Sequence, residues 1–211
     1  MILYKLLRFF GLPLYRLLYP RKILGRENLP EKENFILVSN HFSMMDVVVV
    51  SELFKKRPYM LGKKELMKHK LIGKLLLSYG LIPIDRKSVD IEALKKCFSV
   101  LKEGSSLVIF PEGTRNKTDE ELHEIKGGAS VIACKAKVPI VPVAMRSKFR
   151  VFGKNVLAVG KPLEFTGYYG KRLDAETVKE LDEAVFGAIE SCREETLKIG
   201  VKAPKGDKAG K

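Results

Sequence analysis

Short apolar runs along the chain alternate with stretches in which apolar residues recur at helical spacing. The apolar runs predict strands at residues 35–39, 58–61, 81–84, 107–110, 138–145 and 156–159. The amphipathic stretches predict helices at 46–56, 64–79, 88–103, 128–137 and 174–199. Because strands and helices alternate, we expect a single α/β domain with a mostly parallel central sheet flanked by helices.

Local signals define several of these elements further. Ser88 is the expected N-cap of the third helix, Gly104 stands at its C-terminal cap, and Pro83 makes strand 81–84 short or an edge strand. The last helix should bury Leu181, Val185, Ile189 and Cys192. The sequence thus predicts one folded domain at 27–200, followed by a disordered basic tail at 201–211.

The first 26 residues differ from the body of the chain. They interleave leucines and aromatic residues with basic residues and contain no acid. Gly11 and Pro13 should break the segment into two short helices. Such a basic, apolar segment is typical of a helix lying on an anionic membrane, and the alternative is a helix that packs on the protein body. The chain has no uncharged apolar run of about 18 residues, and no small-residue cleavage site follows the segment.

The charge distribution supports contact with an anionic surface. The formal net charge is +14, of which residues 1–26 contribute +6 and residues 201–211 contribute +3. Either a nucleic acid or a membrane would attract these ends, but a nucleic-acid arm is rarely as apolar as this N-terminus. Cys97, Cys134 and Cys192 form no C-x-x-C pair, so we expect three buried, reduced thiols and no metal site.

One candidate catalytic group follows the first predicted strand. His41 can abstract a proton from a hydroxyl, and Asp46 can hold its tautomer. Five residues span about 140° on a helix, so the two meet only if His41 lies on the turn and Asp46 at the helix start. Taken alone this pattern is weak, and a structural or solvated histidine is the stronger interpretation.

Three further motifs follow or form strands. In Phe110–Asn116, glycine allows close backbone approach and Arg115 offers a fork for phosphate oxygens; the alternative is a polar turn with Arg115 paired to Glu112. The strand ending at Asp85 and Arg86 could present an ordinary exposed ion pair. The proline-containing strand at 138–144 fits either an acyl-chain channel or plain core.

The order of the four motifs resembles the glycerolipid acyltransferase family, in particular its bacterial 1-acylglycerol-3-phosphate acyltransferases. The shared blocks are Asn-His-x4-Asp, Gly-x4-Asp-Arg, Phe-Pro-Glu-Gly-Thr-Arg and Val-Pro-Ile-Val-Pro-Val, over about residues 20–165. The resemblance implies that His41 is the general base and Asp46 its orienting partner. It implies that the acceptor's glycerol-phosphate part is held by Glu112, Gly113, Thr114 and Arg115, with help from Arg86.

The resemblance also implies an activity and its partners. The expected reaction moves an acyl group from a thioester of coenzyme A or acyl carrier protein to the sn-2 hydroxyl of lysophosphatidic acid, giving phosphatidic acid. No tightly bound cofactor, metal or nucleic acid is expected. We expect a peripheral membrane protein on the cytoplasmic face, bound through residues 1–26. The alternatives are an enzyme acting on glycerol 3-phosphate or another lysophospholipid, and a non-catalytic basic protein that binds membrane or nucleic acid.

Overall fold

The computed structural model describes residues 2–32, 34–86, 90–116, 122, 125 and 127–199. Seven strands form one sheet in the order β1-β7-β6-β2-β5-β3-β4. All neighbouring strands are parallel except β6 and β7, so the predicted mostly parallel α/β fold is confirmed. The strands are β1 Arg21–Leu24, β2 Ile36–Ser39, β3 Tyr59–Lys63, β4 Leu81–Ile84, β5 Leu107–Ile109, β6 Ile140–Met145 and β7 Asn155–Val159.

Helices cover both faces of the sheet. They are α1 Ile2–Leu6, α2 Leu12–Leu18, α3 Asp46–Ser51, α4 Lys70–Ser78, α5 Ile91–Lys102, α6 Ala129–Ala136 and α7 Ala175–Lys198. Residues of α5, α6 and α7 pack with Ile140 and Ala144, whereas residues of α2, α3 and α4 pack with Val141 and Val143. Alternate residues of β6 therefore pack into the cores on the two faces of the sheet, which explains why this strand is apolar throughout.

The N-terminal helices are continuous, contrary to the predicted break. A π-helical turn, Leu7–Gly11, joins α1 to α2, and Gly11 and Leu12 keep right-handed helical backbone angles. Pro13 lies in the first turn of α2, where its missing N–H is tolerated. Strand β1 was not predicted, because its residues were assigned to the membrane-binding segment 1–26. Residues Arg21–Leu24 pair in parallel with β7, so β1 forms one edge of the sheet.

Three helices differ from their predicted bounds. Helix α3 ends at Ser51 rather than at residue 56. His69 has an extended backbone and divides the predicted helix 64–79 into a 3-10 turn, Lys64–Lys68, and α4. Helix α5 begins after Asp90, which is its N-cap. The carboxylate of Asp90 accepts the N–H of Ala93, which would otherwise lack a partner in the first turn. Ser88 lies outside the described residues.

Other predictions are confirmed. Strand β4 lies at the sheet edge, and α7 buries Leu181, Val185, Ile189 and Cys192. The three thiols are buried and free. In the described part of the chain, no helix combines the length and the apolar character needed to cross a bilayer. The expected tail at 201–211 lies outside the described residues.

Candidate active site

The motifs that follow β2, β5 and β4 meet at one edge of the sheet. These strands run in the same direction, so their carboxyl ends lie together. His41 follows β2, Glu112 and Gly113 follow β5, and Arg86 follows β4. Asn40 fixes the first of these turns, because its side-chain amide donates to the carbonyl of Met145 and accepts its N–H, both at 2.8 Å.

His41 and Asp46 form a hydrogen-bonded pair. The Nδ1 atom of His41 lies 2.9 Å from Oδ2 of Asp46. Asp46 is the first residue of α3 and is fully buried, whereas the histidine side chain is partly exposed. His41 therefore lies on the turn and Asp46 at the helix start, which is the only arrangement in which this spacing lets them meet.

The surroundings of Asp46 fix the histidine tautomer. Oδ2 of Asp46 also accepts the backbone N–H groups of Phe42 and Ser43, at 2.6 and 2.7 Å, and Oδ1 accepts the hydroxyl of Ser43 at 2.9 Å. The carboxylate thus acts as an acceptor towards every partner, so Nδ1 of His41 carries the proton that it donates. The Nε2 atom is then free to accept a proton from a ligand.

The backbone of His41 is held by the loop after β5. Its N–H donates to Oε1 of Glu112 at 2.9 Å, and its carbonyl accepts the N–H of Asn116 at 2.6 Å. The imidazole stacks on the ring of Phe110, with centroids 4.2 Å apart. The base and the loop that carries Gly113, Thr114 and Arg115 are therefore fixed relative to each other.

His41 faces a pocket of about 260 Å³. One part of its lining is cationic or polar and includes Lys63, Arg86, Thr114 and Arg115. The other part is apolar and consists of Met44, Val47, Met60, Leu61, Leu66, Leu76, Leu81 and Phe110. The pocket therefore combines an imidazole, cations suited to an anionic group and an apolar wall suited to a hydrocarbon chain.

The glycine in the loop has a conformational role. Gly113 has a φ of +68°, which disfavours any residue with a side chain. Its carbonyl accepts a hydrogen bond from Nη1 of Arg86, so the loop after β4 is tied to the loop after β5. Thr114 and Arg115 follow the glycine and are exposed at the pocket rim, where a phosphate could reach both.

Comparisons with known proteins agree with this arrangement. A family model described as acyltransferase matches residues 21–146. The chain belongs to the acyltransferase family. A Bacillus subtilis 1-acyl-sn-glycerol-3-phosphate acyltransferase is 34% identical over 67% of this chain and 73% of its own length. A Borreliella burgdorferi enzyme of the same name is 32% identical over 64% of this chain, but the match spans only 54% of that enzyme.

A solved structure supports the same family fold. The 1-acyl-sn-glycerophosphate (LPA) acyltransferase PlsC from Thermotoga maritima aligns with a TM-score of 0.68 and 25% identity. The alignment covers 97% of this chain and 82% of that one. The shared fold thus extends over nearly all of this chain.

The geometry bears on one expectation for this acyltransferase and on one open alternative. Glu112 was expected to hold the acceptor, but its side chain is buried and one oxygen accepts the N–H of His41, and it does not line the pocket. Strand β6 was considered as a channel wall. It is instead plain core, because it lies between β2 and β7 with all of its residues buried.

Several site residues of the acyltransferase were not predicted. Phe110 stacks on the base, Asn40 and Asn116 fix its turn, and Ser43 donates twice to Asp46. Each lies inside or beside a motif, but its role depends on contacts that the one-dimensional pattern does not contain. Among the residues that the structure describes, no three His, Cys, Asp or Glu side chains are grouped as metal ligands would be.

Proposed function

We propose that this protein transfers an acyl group from a thioester to the sn-2 hydroxyl of 1-acylglycerol 3-phosphate, giving phosphatidic acid. The observation that carries the proposal is the His41–Asp46 pair facing a pocket with a cationic rim and an apolar wall. The names of the similar enzymes support the same reaction. The alternative is that the enzyme catalyses the same acyl transfer but uses glycerol 3-phosphate or another lysophospholipid as the acceptor.

In the proposed mechanism, Nε2 of His41 takes the proton of the acceptor hydroxyl as its oxygen attacks the thioester carbonyl. The tetrahedral intermediate collapses with cleavage of the carbon–sulfur bond. The imidazolium then returns the proton to the departing thiolate, so an alcohol and a thioester become an ester and a thiol. Asp46 stabilises the transient imidazolium and keeps the ring in the productive tautomer.

The loop after β5 would hold the acceptor phosphate. Arg115 offers a planar pair of donors, and the hydroxyl of Thr114 lies beside it on the same loop. Arg86 supports the loop through the carbonyl of Gly113 and also lines the pocket. Glu112 acts as a positioning residue, because it holds the backbone of the base and not the ligand.

The donor would be a thioester of coenzyme A or acyl carrier protein. A thioester is already activated, so the reaction needs no covalent enzyme intermediate and no tightly bound cofactor. The buried state of all three cysteines agrees with a mechanism that uses no thiol nucleophile. The apolar wall of the pocket would hold the acyl chain next to the reacting carbonyl.

The enzyme would act as a peripheral protein on the cytoplasmic face of the membrane. The described N-terminal helices expose Leu6, Phe9, Phe10, Leu14 and Leu17, which support membrane contact through the 1–26 segment. Replacing Phe9, Phe10 and Leu17 with serine should weaken binding to anionic vesicles without unfolding the protein. Deletion of the segment is a poorer test, because Tyr4 and Tyr15 are buried.

The decisive experiment combines two donors with three acceptors and identifies the products. Acyl-CoA and acyl carrier protein thioesters are each offered with 1-acylglycerol 3-phosphate, glycerol 3-phosphate and monoacylglycerol. The proposal requires the highest kcat/KM for 1-acylglycerol 3-phosphate. Preference for glycerol 3-phosphate would place the enzyme one acylation earlier. If no donor is used and the protein binds DNA tightly at physiological salt, a non-catalytic nucleic-acid-binding protein is the better explanation.

A further inference from the structure

Exposed large apolar side chains are concentrated on one side of the described structure. Apart from Ile91, Tyr168 and Leu197, they lie on the N-terminal helices, around the start of α3, on α4 or in the loop between β6 and β7. This is the sheet face that α2, α3 and α4 cover. An apolar surface of this extent on one side of a molecule indicates an interaction site.

Helix α4 contributes the most exposed of these side chains. Leu71 is 84% exposed, and Ile72 and Leu75 are also exposed. The helix packs against the N-terminal helices, where the rings of Tyr4 and Tyr79 meet edge to face at 5.3 Å. Helix α4 therefore lies beside the N-terminal segment that we propose to bind the membrane.

The loop between β6 and β7 adjoins the other end of the same segment. The N–H of Phe152 donates to the carbonyl of Leu18 at 2.7 Å. Asn155 makes the loop rigid, because its side chain bonds both the N–H and the carbonyl of Arg150 as well as the carbonyl of Pro20. The conformation of the loop is thus defined by hydrogen bonds within it and to the end of the N-terminal segment.

Phe152 has a backbone conformation that its side chain disfavours. Its φ is +52° and its side chain is 72% exposed, so neither backbone preference nor burial explains a phenylalanine at this position. Strained backbone at an exposed site often marks a functional position. An exposed aromatic ring beside Val151 would gain from burial in the interfacial region of a bilayer.

The charges on these segments share one sign. Residues 1–26, 66–84 and 138–163 contain no aspartate or glutamate. Exposed basic residues accompany the apolar ones, among them Lys5, Lys74, Arg150 and Lys154. Helix α7, on the opposite face of the sheet, carries seven of the 25 acidic residues. An anionic bilayer is therefore attracted more strongly to the side that carries these basic segments.

We propose that the enzyme contacts an anionic bilayer at three places, namely the N-terminal helices, helix α4 with Leu71, and the β6–β7 loop with Phe152. This inference rests on the proposed membrane-borne substrate. The loop leaves β6 at the sheet edge where Asn40 holds the end of β2 beside Met145. Contact at three places fixes the orientation of the protein, so the edge that carries His41 stays at the membrane surface.

The test uses the absence of tryptophan from the sequence. Single tryptophans are introduced as Leu17→Trp, Leu71→Trp, Phe152→Trp and Ile91→Trp, each in the full chain. Vesicles contain phosphatidylglycerol and brominated phosphatidylcholine, whose bromines quench tryptophan within the bilayer. We expect blue-shifted, quenched emission at 17, 71 and 152, and unchanged emission at 91. Ile91 is the matched control because it is 61% exposed but lies on α5.

Two results would overturn the three-point contact. One is quenching at position 17 without quenching at 71 and 152, which would leave the N-terminal segment as the single anchor. The other is equal quenching at position 91, which would indicate unspecific insertion. Emission is read without turnover, so the outcome stands even if the proposed acyl transfer is not found.

A second variant separates membrane contact from a structural role of the aromatic ring. Phe152→Gly removes the ring and suits the positive φ, so we expect a higher melting temperature together with weaker vesicle binding. With bilayer-presented acceptor the KM should rise, whereas turnover of a monomeric short-chain acceptor should be unchanged. A lower melting temperature with unaltered vesicle binding would assign Phe152 to the fold and contradict the proposal.

Discussion

The backbone N–H of His41 donates to Oε1 of Glu112 across 2.9 Å. Through this bond the strand that carries the base is joined to the loop that carries the candidate phosphate ligands. Asn116, four residues later, bonds the carbonyl of the same histidine. Two contacts, one on either side of Gly113, Thr114 and Arg115, therefore fix the position of this loop relative to His41.

Glu112 gives the first prediction. Glu112→Ala removes the acceptor for the N–H of His41, and we expect kcat to fall by about 10²-fold while the acceptor KM changes little, because misplacing a base by about 1 Å has that effect. Glu112→Gln retains an acceptor oxygen and should recover most of the rate. Steady-state kinetics of both variants test this. A selective rise in acceptor KM would instead mean that Glu112 binds the acceptor.

The second prediction concerns the base and its partner. His41→Ala should lower kcat by about 10²–10⁴-fold. Asp46→Asn should lower it by up to about 10⁴-fold, because an amide can donate to Nδ1 and favour the wrong tautomer. Circular dichroism should show both variants folded. Near-normal turnover by His41→Ala would exclude the proposed mechanism.

Arg115 gives the third prediction. Arg115→Ala should lower kcat/KM for 1-acylglycerol 3-phosphate by about 10- to 100-fold, since a charge-assisted hydrogen bond is lost. Its effect on the donor KM should be smaller. Arg115→Lys should recover only part of the lost kcat/KM, because an ammonium group cannot reproduce the planar fork of donors. With monoacylglycerol, which has no phosphate, wild type and Arg115→Ala should be equal; a persisting difference would argue against phosphate recognition.

The fourth prediction concerns an ion-pair cluster that holds β1. Glu52 is buried and pairs with Arg16, at 2.5 Å, and with the buried side chain of Arg21. Glu52→Ala leaves the Arg21 charge buried and should lower the free energy of unfolding by about 3–5 kcal/mol. The control is Arg16→Ala, which should cost about 1 kcal/mol or less because Arg16 is half exposed. Urea unfolding measures both, and equal losses would contradict the assignment.

The buried thiols give the fifth prediction. Burial raises the pKa of Cys97 to about 12 and that of Cys192 to about 11. The unfolded chain loses these protons near pH 9 and the folded chain does not, so stability should fall as pH rises from about 9 towards 11, by at most about 1.4 kcal/mol per pH unit for each thiol. Cys97→Ala should flatten this slope in denaturation curves. Iodoacetamide should not modify native protein at pH 8, and rapid modification would contradict the burial.

The fold class could be predicted because each element carries its own periodicity. Strand β6 and helix α7 were predicted to within two residues, since a continuous apolar run and a long stripe at helical spacing are local signals. The motifs around His41 and Gly113 were also visible, because each is a short run directly after a strand. The family could therefore be proposed before any geometry was known.

Elements stabilised by distant partners were not predicted. Strand β1 carries basic residues that suggested a membrane segment, and only pairing with β7 and the contact between Arg21 and Glu52 make it a strand. The helix stays continuous through Gly11 and Pro13 because Tyr15 is packed in the core. Local sequence signals favoured a membrane segment in the first case and a helix break in the second, and long-range packing outweighed them.

The sequence by itself determined which residues are the candidates for the chemistry, because His41, Asp46 and Arg115 stand in motifs of fixed spacing. Only the tertiary structure decided what each one touches. It placed an oxygen of Glu112 on the backbone N–H of His41, which favours a positioning role over the expected acceptor contact, and it made β6 core. The physical reason is that side-chain direction and burial depend on strand order, which brings β2 beside both β5 and β6 although about 70 and 100 residues separate them along the chain.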